Sequence, residues 1–240
     1  MTTRAPIRLL IHGASGRMGR ALLRLAAADA RFAVAGAVTR AGGNIGGVRA
    51  LPSERMASAM PFDVLVDFSL PGAFDAALEV CLQRGCALVS GTTGLSNAQR
   101  NAFAAASRSI PILWSANFSL GVAVLNELVA RAAKALPGWD CHVIETHHTQ
   151  KRDAPSGTAL ALGETIAGAR GASPHYVSLR AGDVVGEHVV QFTGIGERLE
   201  LVHRAGDRDI FVRGALEATA RIGRRGPGLY SLGGLLLGES

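Results

Sequence analysis

The sequence has little from which to build a disulfide framework, a metal finger or a base-stacking surface. Its three cysteines, Cys81, Cys86 and Cys141, form no CxxC pair. An odd, scattered set fits a reducing cytoplasm in which each thiol packs as a small buried hydrophobe. Aromatic residues make up only 5% of the chain, and no helix-turn-helix, RRM or zinc-finger spacing is present. No apolar run approaches the ~20 residues that cross a bilayer. Ile7 to Ile11 is short and is followed by His12-Gly13, so it reads as a buried strand. A secretory leader would show a longer apolar region ending at a small-residue cleavage site; none is seen, and a cytoplasmic protein without a membrane partner is expected. Internal repeats and low-complexity tracts are also missing.

What the chain does have is enough apolar material for a real core and many tight turns: 240 residues, 48% hydrophobic, with 30 glycines. That length allows one large domain or two modest ones. The net charge of +6 raises the question of nucleic acid. The arginines are scattered, however, and the one tight cluster is Arg221, Arg224 and Arg225. Anionic substrates and cofactors account for the basic balance equally well, and no nucleic-acid partner is expected.

The first half alternates strand and helix signals. Strands are expected at Ile7–Ile11, Phe32–Val38, Asp63–Phe68, Ala87–Ser90 and Ile110–Trp114, and helices at Arg17–Ala28, Ala73–Gln83 and Asn97–Ser107. This is the pattern of βαβ units, a parallel sheet and right-handed crossovers. The Gly-rich stretch Ala41–Ser58 is weakly patterned and reads as a loop beside a ligand. The style changes after Phe118. A long amphipathic helix over Leu120–Leu136 is stopped by Pro137-Gly138. A strand over Cys141–Glu145, a helix over Thr158–Gly168, three strand-like runs (Tyr176–Leu179, Val189–Thr193, Glu197–His203) and a helix over Phe211–Ile222 follow. The fold class is therefore α/β: a Rossmann-like dinucleotide-binding domain plus a smaller α+β domain with its own sheet.

Two stretches carry chemistry. Gly13-Ala-Ser-Gly16-Arg-Met-Gly19 lies between the first strand and the first helix. Glycines there let the backbone turn sharply and approach a pyrophosphate, whose charge meets the helix N-terminus. A plain tight turn would look the same; the position within a βαβ unit favours the cofactor. At the end of the second strand an acid would accept from an adenosine ribose and favour NAD, whereas an arginine accommodates a 2′-phosphate. This chain has Thr39-Arg40, so NADPH is the expected cofactor, with NADH possible and a solvated surface arginine as the alternative. Gly91-Thr92-Thr93-Gly94 and Ala116-Asn117-Phe118-Ser119 each follow a strand, where open α/β sheets bind ligands. Either contacts a nicotinamide or is ordinary turn chemistry.

The second stretch is Glu145 to Ala159, ETHHTQKRDAPSGTA. It places His147, His148 and Lys151 just before a Ser156-Gly157-Thr158 turn that reads as a helix start. The first N–H groups of a helix attract anions, a lysine adds a mobile ammonium, and histidines titrate near neutral pH. Three readings compete. A metal site is disfavoured, because adjacent histidines on a strand point to opposite faces. In a structural reading Asp153 or Ser156 caps the helix. In a catalytic reading Lys151 donates a proton while a histidine orients or charges an acidic substrate.

These residues resemble the dihydrodipicolinate reductase family. The likeness rests on GASGRMG at 13–19, VDFSLP at 66–71, GTTG at 91–94, ANFSLGV at 116–122, the HHxxKxDAPSGTAL run ending at 160, RAGDVVGEH at 180–188 and the ERLEL–H stretch at 198–203, and it covers nearly the whole chain. The resemblance implies NAD(P)H-dependent reduction of 4-hydroxy-tetrahydrodipicolinate in diaminopimelate and lysine biosynthesis. It implies a dinucleotide-binding domain over residues 1–118 with 216–240, and a substrate-binding, tetramer-forming domain over 119–215 with a mixed sheet. By this likeness His147 is the active-site acid/base, Lys151 the proton donor, and His148, Ser156, Gly157 and Thr158 hold the substrate carboxylates. Gly13, Ser15, Gly16, Arg17, Met18, Gly19, Thr39, Arg40 and Phe68 would bind the dinucleotide. Gly91, Thr92, Thr93, Ala116, Asn117 and Phe118 would reach its nicotinamide end. No metal and no nucleic acid are implied, and the assembly would be a homotetramer. Two departures stand out: family members often carry an acid where this chain has Thr39, and the connection before Arg180 is trimmed. Related readings are another Rossmann dehydrogenase of amino-acid precursors, such as an aspartate dehydrogenase, or a non-catalytic nucleotide sensor.

Overall fold

A computed structural model describes residues 5–238. They form two compact units, the first running to Phe118 and resuming at Phe211, the second spanning Ser119–Ile210.

The first unit contains β1 (Ile7–His12), α1 (Arg17–Ala27), β2 (Phe32–Thr39), β3 (Ala41–Ile45), β4 (Val48–Pro52), a 3-10 turn (Ser53–Ser58), β5 (Val64–Asp67), α2 (Pro71–Arg84), β6 (Ala87–Ser90), α3 (Asn97–Ala106) and β7 (Pro111–Trp114). Its sheet has the order β12-β7-β6-β5-β1-β2-β4-β3, where β12 (Gly228–Tyr230) comes from the end of the chain and pairs in parallel with β7. All pairings are parallel except β3 with β4. Parallel strands covered on both faces need continuous apolar runs rather than alternation. β5 and β6 meet this need, every residue of each being buried. The helices have sharp ends: Pro71 opens α2, Gly85 closes it in the left-handed region at φ 62°, and Ser96 with Gln99 forms a capping box on α3. Phe74, Leu78, Leu88, Phe103 and Ile112 form the core between α2, α3 and the sheet.

The stretch expected as a loop over Ala41–Ser58 is instead ordered structure. β3 and β4 pair antiparallel as a hairpin at the sheet edge, turning at Gly46 and Gly47, both at positive φ. Its strands are short and mostly exposed or half-buried, so they lack the apolar signal that marks a strand in sequence, and the turn glycines dominate the composition.

The second unit contains α4 (Leu120–Ala135), β8 (Asp140–His147), α5 (Gly157–Arg170), β9 (His175–Arg180), β10 (Gly186–Thr193) and β11 (Arg198–Ala205). Its mixed sheet has the order β11-β10-β8-β9; β9 runs parallel to β8 and the other pairs are antiparallel. Alternation is clear in β8 and β10. Cys141, Val143, Val190 and Phe192 face α4 and α5, joining Leu125, Val129, Leu162 and Ile166 in one core. From β11 the chain continues through α6 (Asp209–Ile222) to β12 and α7 (Leu232–Leu237).

Candidate active site

The first unit carries a cavity of about 610 Å³ at the carboxyl ends of β1 and β2. Gly13, Ser15, Gly16, Thr39, Arg40 and Phe68 line it. The glycines are required by space. Gly13 has φ +76°, and a Cβ on it would lie 2.4 Å from the Phe68 carbonyl oxygen; a Cβ on Gly19 would lie 2.3 Å from the Gly13 oxygen. The backbone therefore wraps tightly enough to bring the N-terminus of α1 to the cavity. Gly16 occupies its N-cap with no side-chain hydrogen bond, and the first turn carries no acid. An N-terminus without a side-chain cap, beside a glycine cradle and an arginine, fits the pyrophosphate of a dinucleotide. Arg17 and Met18 follow in the first turn of α1 and do not line this cavity. Thr39 is buried and its hydroxyl donates to the Gly42 carbonyl at 2.9 Å, so Arg40 is the polar side chain that β2 offers at this end.

The ends of β5, β6 and β7 converge nearby within the same unit. A Cβ on Gly91 would overlap the Phe68 ring at 2.2 Å, and the Phe68 and Phe118 rings lie 5.5 Å apart. Thr92 is buried; its hydroxyl donates to Asp67 at 2.8 Å and its carbonyl accepts from Trp114 Nε1 at 2.8 Å. Ser115 Oγ donates to the Asn117 carbonyl at 2.6 Å. Thr93 and Ala116 are exposed. Beneath these turns lies a buried polar cluster that the sequence reading missed. Asp67 accepts hydrogen bonds from Ser90 Oγ, Thr92 Oγ1 and the Ser69 amide. His12 Nδ1 stands 2.9 Å from Asp67 Oδ1, off the line a directed hydrogen bond needs. Burial pushes the Asp67 carboxyl up, but His12 and the hydroxyl donors outweigh it and hold the group below its ordinary value.

In the second unit the catalytic candidates sit where β8 ends. Glu145 and His147 are two residues apart and so share the inner face of the sheet; they are 1% and 8% exposed. Glu145 takes a short contact from His147 Nδ1 and a two-pronged contact from Arg180, each prong at 3.0 Å. Burial would raise the Glu145 carboxyl, but Arg180, Ser178 and His147 hold it down. Burial lowers the His147 imidazole despite the carboxylate beside it, which leaves it neutral near pH 7. The His147 ring meets His188 edge-on at 5.2 Å. His188 Nε2 lies 3.2 Å from Ser156 Oγ, and that same oxygen caps α5 by accepting from the Ala159 amide. Lys151 Nζ pairs with Asp153 Oδ2 at 2.8 Å, a contact largely open to water on the aspartate side. His148 meets Arg208 Nη2 at 3.1 Å.

The structure thus gathers His147, His188, Ser156 and the first turn of α5, with Gly157 exposed and no acid in that turn. Ser156, not Asp153, is the cap. Glu145, Arg180 and His188 escaped the sequence reading as functional residues; the signal that could have found them is a charged or imidazole side chain at an inward position of an otherwise apolar strand. Among the described residues no group of three or more His, Cys, Asp or Glu is placed to hold a metal ion. No helix of the described residues is long and apolar enough to cross a membrane.

Comparison with known proteins covers both units. The family pattern "Dihydrodipicolinate reductase, N-terminus" matches residues 7–118, and "Dihydrodipicolinate reductase, C-terminus" matches residues 121–236. The chain is 60% identical over 235 residues to 4-hydroxy-tetrahydrodipicolinate reductase of Stenotrophomonas maltophilia strain R551-3, covering 96% of this chain and 98% of that protein. It is 57% identical over 240 residues to the enzyme of the same name from Xanthomonas campestris pv. campestris strain B100, covering 99% and 100%. These relatives are of matching length, so the short connection before Arg180 is no departure from them. Among solved structures, the dipicolinate-bound dihydrodipicolinate reductase from Paenisporosarcina sp. TG-14 superposes with a TM-score of 0.84 at 22% identity, over 97% of this chain and 99% of that one. Aspartate dehydrogenase from Thermotoga maritima superposes at 0.51 with 16% identity, over 88% and 94%.

Proposed function

This chain belongs to the dihydrodipicolinate reductase family, and on that premise we propose that it reduces 4-hydroxy-tetrahydrodipicolinate, by way of dihydrodipicolinate, to tetrahydrodipicolinate in diaminopimelate and lysine biosynthesis. One observation supports the site assignment above all. His147, Lys151 and the acid-free N-terminus of α5 lie on one continuous strand–loop–helix segment of the second unit. That segment offers a proton donor and an anion cradle to a ring bearing two carboxylates.

The reduced pyridine nucleotide, when bound, supplies the hydride for ring carbon C4 of the unsaturated imine formed as the 4-hydroxyl leaves as water. The chain's own residues do the rest. The Gly13–Gly19 turn and the N-terminus of α1 hold the pyrophosphate. Phe68, the Gly91–Thr93 turn and the Ala116–Phe118 turn shape the nicotinamide end. Thr92 holds its turn in place there, with its hydroxyl donating to Asp67, its amide to Ser90 Oγ and its carbonyl accepting from Trp114 Nε1. Gly157, Thr158 and His148 anchor the substrate carboxylates, Ser156 shapes that cradle as the cap of α5, and together they fix the ring for transfer, which lowers the barrier by several kcal/mol through orientation alone. Lys151 exchanges its exposed partner Asp153 for the substrate and gives its proton to the carbon next to C4. His147, neutral and oriented by Glu145, is the second acid/base group, with its Nε2 lone pair available.

Arg40, without an acid at the end of β2, points to NADPH as the preferred cofactor. The assembly is a homotetramer built through the open face of the second unit's sheet, and the setting is cytoplasmic.

The test is the absorbance at 340 nm of enzyme, NADPH and the pathway imine, run beside Lys151→Ala. Wild type should consume NADPH only when the imine is present. Lys151→Ala should lose roughly 100-fold or more in kcat while keeping its dinucleotide affinity. A variant with near-normal turnover removes Lys151 from the role of proton donor.

A further inference from the structure

We propose that Arg180 is the positioning residue of this active site: it locks the loop carrying Lys151 to the carboxylate that orients His147, so that both acid/base groups are held by one guanidinium. This rests on the reading of Lys151 as proton donor given above.

The geometry is saturated. Arg180 sits on β9 in register with His147 on β8. A guanidinium has five N–H donors in a planar fork, and here each finds an acceptor. Nη1 donates to Glu145 Oε2 at 3.0 Å and to the Leu179 carbonyl at 2.6 Å. Nη2 donates to Glu145 Oε1 at 3.0 Å and to the Asp153 carbonyl. Nε donates to the Lys151 carbonyl at 3.1 Å. The two loop carbonyls flank Arg152, so the fork fixes the backbone on both sides of the position from which the Lys151 side chain departs. The carboxylate it grips is the one that receives His147 Nδ1. Among the described residues Arg180 is the side chain that donates to the carbonyls of Lys151 and Asp153. Without the fork, Lys151 would keep its exposed partner Asp153 but lose its anchor. Glu145 would become a buried carboxylate lacking its strongest donor, and His147 would lose the fixed orientation that Glu145 imposes.

A lysine at 180 would retain the positive charge beside Glu145 but cannot span a carboxylate and three carbonyls at once. Arg180→Lys is therefore the informative variant, with Arg180→Ala beside it. Loss of the clamp should lower kcat by roughly 30- to 100-fold, the scale expected for misplacing a reacting group by about 1 Å. The KM for the dinucleotide should stay within about twofold, because every Arg180 partner lies in the second unit. Two readouts separate positioning from general stability. Brief trypsin treatment should cut after Lys151 or Arg152 faster in the variants than in wild type. Millimolar guanidinium should restore part of the Arg180→Ala turnover, whereas methylammonium should not. Wild-type turnover in Arg180→Lys overturns the proposal. So does reduced turnover with an unchanged cleavage pattern and no guanidinium rescue. Lys151→Ala, assayed in parallel, keeps the two ideas apart. If it is inactive while Arg180→Lys is normal, the clamp alone fails. If it is fully active, the proton-donor reading fails, and the clamp is then judged by cleavage and rescue.

Discussion

At the scale of single residues, the chemistry turns on which partner each polar side chain has. Arg40 and Thr39 show this most simply. Thr39 donates inward to the Gly42 carbonyl and Ser53 Oγ donates to the Thr39 carbonyl, so both main-chain and side-chain groups of Thr39 serve the β2–β3 corner. Arg40 is exposed beside the cavity, and none of the residues that line it is an acid that would repel a 2′-phosphate. Arg40→Ala should therefore raise the KM for NADPH about tenfold or more, one charge-assisted contact being worth roughly 1.5–3 kcal/mol, and change that for NADH about twofold at most. Steady-state kinetics with each nucleotide checks this, and equal effects on both remove the phosphate-reading role. The glycine turn, His147, His148 and Lys151 could be named as candidates from the sequence because their spacing is local. Asp67, Glu145, Arg180 and His188 were not. Asp67 meets Thr92 across 25 positions and Glu145 meets Arg180 across 35. Strand alternation can place a charge on the inward face, but nothing local in a sequence names the partner that another strand brings to it.

At the scale of elements, the helices and buried strands were legible wherever burial imposes a period. β6 was expected at Ala87–Ser90 and is found there, and α4 ends one residue short of the expected Leu136. The β3–β4 hairpin was missed because an exposed edge hairpin imposes no period. α5 illustrates how an element end becomes a functional group. Ser156 Oγ accepts from the Ala159 amide, which leaves its hydroxyl proton to donate to Nε2 of a neutral His188. Burial, then the nearby His147 and His203, push the His188 imidazole down to about 4, with Glu145 opposing and Lys151 adding to the shift. A folded value below the unfolded value of about 6.5 means the unfolded chain binds more protons in between. The contribution is therefore complete above about pH 6.5 and is lost as pH falls through 4. Its full size is about 3 kcal/mol, from about 1.36 kcal/mol per unit. Urea melts at about pH 7 and pH 4.5 should show wild type losing more stability on acidification than His188→Gln, by about 2 kcal/mol. An identical pH dependence in the two proteins would mean that His188 is not held neutral by its surroundings.

At the scale of the molecule, the second unit's sheet has one face that is only half-buried or exposed among the described residues. The inner face packs on α4 and α5, but the outer face carries an apolar row across all four strands: Val177 on β9 opposite Ile144 on β8, Ile144 opposite Val189 on β10, and Val189 opposite Val202 on β11. Val177 and Val202 are 43% and 40% exposed, and Leu179 adjoins them at 51%. A contiguous apolar row of this kind is unfavourable against water and marks an interaction surface. It is also self-complementary: two copies of a flat sheet face related by a two-fold axis bury the same residues against each other. Replacing Val177 and Val202 together by lysine places charges at both ends of this apolar row, on the outer strands β9 and β11, while leaving the inner core untouched. Light scattering coupled to size-exclusion chromatography should find the wild type as a tetramer and the double variant as a smaller species. Its circular dichroism should be unchanged, and its dinucleotide affinity should be retained because the cavity that holds Arg40 belongs to the first unit. A wild-type monomer, or a variant that still elutes as a tetramer, would show that copies do not meet through this face.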